Sequence, residues 1–205
     1  MSWLMGRPGF GTGSHCSSPP PRKSSITITA PLDLALEDEL KTQYTVAVFN
    51  TNEARVRELI MDPRTMIGAS DGGAHVDMIC DAGYCTSLLG TWVREKGVMS
   101  LEYAVKRLTS EPANFFGIQD TGKLAPRMAA DIVIFDYNTI GSGKRPEMRY
   151  DLPGGGRRLV MPAQGMHYII VNGEVLYEEL KPTGALPGKV LRLGADYKGL
   201  RGAAI

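Results

Sequence analysis

The residues best suited to do chemistry stand together as Ser70-Asp71-Gly72-Gly73-Ala74-His75-Val76-Asp77. They follow a short apolar run, Thr65-Met66-Ile67-Gly68-Ala69, which reads as a buried strand ending in a tight turn that glycine permits. A carboxylate at the C-terminal end of a buried strand sits where (β/α) barrels place catalytic groups. Water attack on an amide carbonyl needs a base that takes the water's proton and returns it to the leaving nitrogen. It also needs a Lewis acid that acidifies the water and polarises the carbonyl. Asp71 at such a mouth can serve as base, as ligand or as both, and Gly72 and Gly73 let the loop backbone approach a substrate closely.

Plainer roles compete at each position. A strand-end Asp often forms a turn or caps a helix, and a lone loop histidine such as His75 is usually structural or solvated. Ser70 can donate to Asp71, to a substrate or simply to the turn. Asp77 and Asp81, four residues apart, read as helix-start carboxylates favoured by the dipole. Cys80 and Cys85 read as buried small hydrophobes, and Lys123 and Arg127 as solvated loop cations. Gly154-Gly155-Gly156 lacks the following Lys-Ser/Thr and the flanking strand and helix of a phosphate-cradling loop.

The surrounding elements alternate in period. Residues 31–63 read as mainly helical, with DLALEDEL a good helix-former composition. Asn50-Thr51-Asn52 caps EARVRELIMD, which places Val56, Leu59 and Ile60 on one face before Pro63 ends it. A second helical pattern runs from about Ala82 to Lys96 and stops at Gly97. Ser100 caps a third, whose Leu101, Ala104, Val105 and Leu108 follow the i, i+3, i+4, i+7 rule. Ser110-Glu111-Pro112 starts a short helical turn that Gly117 closes. Beyond Gly122 the period becomes that of strands: Asp131–Asp136 and His167–Val171 are β-branched runs, and Asn172-Gly173 signals a hairpin into Glu174–Tyr177. Residues 141–165 read as an irregular Gly/Pro-rich insertion.

Composition bounds the function classes. The 205 residues suffice for one sizeable core, and 43% are apolar, as in ordinary globular chains. Lys+Arg number 23 against Asp+Glu 22, so the charge balance leaves no nucleic-acid footprint and no membrane-surface patch. No stretch reaches the ~18–20 consecutive apolar residues of a membrane span. Cys16, Cys80 and Cys85 form an odd set without metal-knuckle spacing and read as reduced thiols of a cytoplasmic protein. Residues 1–30 are rich in Gly, Ser and Pro, lack the apolar core of a signal peptide, and read as a disordered leader that sets His15 and Cys16 aside from the site.

GASDGGAHVDMICDAGYCTSLLGTWVREKGVMSLEYAVKRLTSEPANFFG, then GKLAPRMAADIVIFD and YIIVNGEVL, resemble the C-terminal part of the N-acyl-D-amino-acid deacylase branch of the amidohydrolase superfamily. The resemblance covers roughly residues 31–192. It implies an α/β fold: the C-terminal portion of a TIM-like (β/α)8 barrel over 31–121, with its last strand and helices, a β-sandwich segment over 122–192, and a tail over 193–205. In that family the Ser-Asp-Gly/Ala run ends the last barrel strand, so Asp71 matches the catalytic acid/base near the metal. Ser70, Gly72, Gly73 and His75 are then the candidate substrate-binding residues. The implied cofactor is zinc, and the implied substrate is a small N-acyl amino acid.

The departures matter as much. The family's His-x-His, its mid-barrel bridging ligand and its two later histidines have no counterparts, because the only histidines are His15, His75 and His167. A zinc site generally needs about three protein ligands in fixed geometry, and Asp71 with His75 is too few. The expectation is a C-terminal segment of a metal-dependent hydrolase of non-peptide carbon–nitrogen bonds, inactive alone and able to associate with the missing barrel half. Two rivals remain: a non-catalytic remnant or structural subunit of a split amidohydrolase, and a parent with dihydropyrimidinase- or isoaspartyl-dipeptidase-like activity.

Overall fold

The computed structural model describes residues 4–5, 29–42, 44–45, 49–68 and 75–191. Two compact units divide the chain, Met1–Val56 and Arg57–Ile205. The first holds a two-residue antiparallel pair, β1 (Leu4–Met5) with β2 (Tyr44–Thr45), and the helix α1 (Thr29–Glu37). On α1 and just beyond it, Leu32, Leu36 and Leu40 are exposed. Helix α2 (Glu53–Met61) starts where the Asn52 side chain accepts from the Arg55 N–H at 3.1 Å, as the cap reading expected. Its apolar face is only partly covered: Val56 and Ile60 are half-buried, and Leu59 is exposed.

The core of the second unit is helical. Helix α3 (Tyr84–Ser87) runs directly into a π-helical stretch, Leu88–Glu95, in which the Lys96 N–H reaches back five residues to the Thr91 carbonyl. The widened turn was not evident from the apolar periodicity, which fitted an ordinary helix over the same span. Ser100 accepts the Tyr103 N–H and starts α4 (Leu101–Leu108), and α5 (Ser110–Phe115) follows, with Gly117 in the left-handed region at its end. Leu88, Leu89, Val93, Met99, Ala104 and Ile140 pack into one buried cluster. Gly90 makes that packing possible, since a Cβ there would lie 2.6 Å from the Ile140 carbonyl oxygen.

The chain then turns to strands. β3 (Ile132–Phe135), β8 (Met166–Val171), β9 (Glu174–Glu178) and β10 (Lys181–Pro182) form an antiparallel sheet in the order β10-β9-β8-β3. Asn172 and Gly173, at φ +47° and +84°, make the β8–β9 hairpin turn that the Asn-Gly pair predicts. Asp131 ties the sheet together, one carboxylate oxygen accepting the Asn172 N–H at 2.9 Å and the other the Thr121 hydroxyl at 2.6 Å.

Two sequence expectations are corrected. Residues 141–165 are not irregular: β4 (Gly141–Ser142) pairs with β7 (Ala163–Gln164), and β5 (Glu147–Leu152) pairs with β6 (Gly156–Val160) through the Pro153–Gly155 turn. Pro153, Gly154 and Gly155, part of the Gly/Pro-rich run that read as irregular, make the turn of this hairpin, with Gly154 and Gly155 both at positive φ. Residues Thr65–Gly68 of the expected buried strand have no ladder, and Met66 is exposed. A strand of a parallel sheet is held by neighbours, and here the Thr65 carbonyl is taken instead by a side chain of α4. Ala69 lies outside the described residues.

Candidate active site

Of the residues singled out for chemistry, Ser70, Asp71, Gly72 and Gly73 lie outside the described residues, and His75 lies inside them. His75 is exposed and sits at φ +48°, in the left-handed region that residues with a Cβ seldom adopt. It opens a turn, accepting at its carbonyl the N–H groups of Met78 at 2.8 Å and Ile79 at 3.0 Å.

The approach to the motif is held from α4. The Arg107 side chain is fully buried, and its Nη1 donates to the Thr65 carbonyl at 2.6 Å and to Glu111 Oε2 at 3.1 Å. Its Nη2 donates to the Thr65 hydroxyl at 3.1 Å, while its Nε is buried without a partner. The Thr65 hydroxyl in turn donates to the Leu59 carbonyl at 2.6 Å, tying the segment to the end of α2. Burying a guanidinium is costly unless it is paired and hydrogen-bonded. Glu111, four residues on in the first turn of α5, supplies the charge, and Thr65 supplies two acceptors.

The exit from the motif is held by the hairpin. The Leu159 N–H of β6 donates to the Val76 carbonyl at 2.7 Å. Arg157, two residues earlier on β6, donates from Nε at 3.1 Å and from Nη2 at 3.0 Å to Asp77 Oδ2. Asp77 is therefore the acceptor of a long-range ion pair, not the helix-start carboxylate its spacing suggested. Farther on, the Ser142 hydroxyl of β4 donates to the Gly83 carbonyl at 2.8 Å and lies 2.6 Å from the Thr86 hydroxyl. The polypeptide that leaves the motif is thus stitched to the β region at Val76, Asp77 and Gly83.

The remaining candidates separate from this place or are chemically quiet. His167 pairs through Nδ1 with Glu179 Oε1 at 2.6 Å on the β8–β9 hairpin. Cys80 and Cys85 are free and half-buried, not fully buried as expected. Burial pushes the Cys85 thiol up, which keeps it protonated and unsuited to nucleophilic attack. Lys123 and Arg127 are exposed, as their loop reading had it. Among the described residues, no three His, Cys, Asp or Glu side chains gather so as to hold a metal ion. The described residues do not by themselves fit a zinc site.

Sequence reasoning missed Arg107 and Arg157. Arg107 did carry a signal: it falls three residues after Ala104, on the buried face, with Glu111 four residues beyond it. Arg157 and Asp77 are 80 residues apart, and no local pattern links them.

Residues 23–177 match the profile of the amidohydrolase family. The chain is 30% identical over 155 residues to the N-acyl-D-glutamate deacylase of Alcaligenes xylosoxydans xylosoxydans, covering 74% of this chain and 29% of that enzyme. It is 31% identical over 145 residues to the D-aminoacylase of the same organism, covering 70% and 28%. Among solved structures it is similar to the N-acyl-D-glutamate deacylase of Bordetella bronchiseptica, complexed with zinc and a phosphonate inhibitor that mimics the tetrahedral intermediate of the reaction. That match has a TM-score of 0.53 and 30% identity, and it covers 78% of this chain and 34% of that one. The chain spans less than a third of the length of the curated relatives it matches. Among the described residues, no helix is long and apolar enough to cross a membrane.

Proposed function

The chain belongs to the amidohydrolase family, and from that premise we propose that it is the C-terminal segment of a metal-dependent hydrolase of non-peptide carbon–nitrogen bonds, most like N-acyl-D-amino-acid deacylase. In this reading residues 31–121 supply the last strand and helices of a (β/α) barrel, and residues 122–192 supply part of a β-sandwich. Asp71 takes the proton of the attacking water and returns it to the leaving nitrogen. Ser70, Gly72, Gly73 and His75 border the N-acyl amino acid. The metal-binding side chains would come from protein outside this sequence, and a zinc ion held by them would supply the Lewis-acid chemistry of the reaction. The chain alone is then inactive, and its natural partner is the complementary part of the barrel.

The observation that carries this reading is the match to two deacylases over about three quarters of the chain. The anchors on both sides of the motif agree with it. Arg107 holds Thr65 before the Asp71 segment, and Arg157 with Leu159 holds Asp77 and Val76 after it. A catalytic loop needs such fixed ends, because misplacing a reacting group by about 1 Å costs on the order of a hundredfold in rate.

The test is reconstitution. The chain is co-expressed with the complementary N-terminal part of an N-acyl-D-glutamate deacylase, supplied with zinc, and assayed for release of D-amino acids from their N-acyl forms. Hydrolysis that disappears in Asp71→Asn supports the reading. Hydrolysis that survives Asp71→Asn sinks the role given to Asp71. A well-formed assembly without any hydrolysis favours the structural-subunit alternative.

A further inference from the structure

We infer that Arg157 and Leu159 of the β5–β6 hairpin are positioning residues for the candidate site: together they clamp the turn that carries His75. The inference rests on the reading that this turn borders the substrate, but the clamp itself is observed. Two neighbouring residues of the turn are held from one edge of one strand, Val76 through its carbonyl by the Leu159 N–H and Asp77 through its carboxylate by Arg157. Leu159 faces Met148 across the hairpin, yet its N–H donates to Val76, so the turn adds a short extension to the edge of β6.

The rest of the hairpin's charge is already committed. Arg158 makes a two-pronged pair with Asp151, both contacts at 2.7 Å, and Arg149 lies 3.5 Å from Glu147. Arg157 is the hairpin guanidinium that reaches out to the His75 turn. Neither β5 nor β6 has a fully buried residue, so the hairpin adds little to the core. Its bonds to Val76 and Asp77 are therefore better explained by where they hold the turn than by how much they stabilise the fold. His75 stays left-handed, a conformation that persists for a residue with a Cβ only where its surroundings over-determine it. Losing the clamp lets the turn relax and the imidazole leave its place, while the helical core stays intact.

The Met78 and Ile79 N–H groups report on the turn directly, because both donate to the His75 carbonyl. Ala104, whose N–H donates to the Ser100 carbonyl in α4, is the control. Amide hydrogen exchange is measured on the whole chain for wild type, Arg157→Gln, Leu159→Pro and the exchanged pair Asp77→Arg/Arg157→Asp. The expected result is roughly two- to fivefold faster exchange at Met78 and Ile79 in Arg157→Gln, the range set by a partly exposed ion pair. Leu159→Pro removes the donor and gives a larger effect, and the exchanged pair restores protection, with Ala104 constant throughout. The His75 imidazole resonances move in Arg157→Gln, and those of His167 do not. Unchanged exchange at Met78 and Ile79, or acceleration that Ala104 shares in equal measure, would overturn the inference. The measurement needs neither metal nor substrate, so it fails or succeeds independently of the role proposed for Asp71.

Discussion

Arg107 and Arg157 hold opposite ends of the same stretch of chain by opposite means. Arg107 is wholly buried in the helical core and spends its donors on Glu111 and on both oxygens of Thr65. Arg157 stands on a hairpin with its side chain 58% exposed and shares one oxygen of Asp77. Burial makes the first anchor costly to break, since a guanidinium left without its carboxylate cannot turn to water. Solvent makes the second cheap, because water replaces whichever partner is lost. Thr65 is thus held by an anchor that is costly to break, and Asp77 by one that is cheap to break.

The sharpest challenge to that contrast is Glu111→Leu, which leaves Arg107 charged in the core. Its expected cost is about 3–5 kcal/mol, the range for breaking a buried pair, read from denaturant midpoints; a loss as small as that of an exposed pair would refute the burial argument. Next comes Ile140→Ala, which empties a fully buried position packed against the α3–α4 helices. It should cost about 3 kcal/mol, showing that the helical layer and not the hairpin carries the stability. Arg157→Gln should change global stability by less than about 1 kcal/mol, and a larger change would mean that the two anchors differ less than their exposure implies.

The smallest effect is on pH dependence. Hydrogen bonds from the Arg64 side chain hold the Asp62 carboxyl down at about 2, from an ordinary value of 3.8. A carboxyl whose folded value is depressed adds stability above its unfolded value and loses it as pH falls through the folded one. The thermal midpoint should therefore drop as pH is lowered from 3.8 toward about 2. The carboxyls of Asp136 and Asp151 are also held low, by bonds from the Asn138 N–H and from Arg158, and slope the same way. Asp62→Asn should flatten part of that slope, and an unchanged slope would assign it to the other carboxyls.

What could be read from the sequence divides by the range of the contacts. The Ser100 cap, the stops at Gly97 and Gly117 and the Asn172-Gly173 hairpin depend on a few adjacent residues, and all appear where expected. The β5–β6 hairpin was mistaken for an irregular insertion because its strands carry charges and half-exposed residues in place of an apolar alternation. The strand expected at Thr65–Ala69 depended on neighbours that local sequence cannot supply. His75 could be singled out as a candidate from its place near Asp71, but its left-handed backbone and the bonds that hold its turn could not be foreseen. Arg107 could have been noticed from its place on the buried face of α4, whereas Arg157 required the folded chain.

The proposed division of labour is that this chain brings the acid/base and the loop that carries it, and that the metal ligands come from elsewhere. Its most direct test is the zinc content of the purified chain by mass spectrometry, with the mass of the species measured in parallel by light scattering. Zinc well below one equivalent is expected in the isolated chain, and binding only when the complementary part of the barrel is present. Near-stoichiometric zinc in a monomer of the isolated chain would contradict it, placing a complete ligand set within these 205 residues.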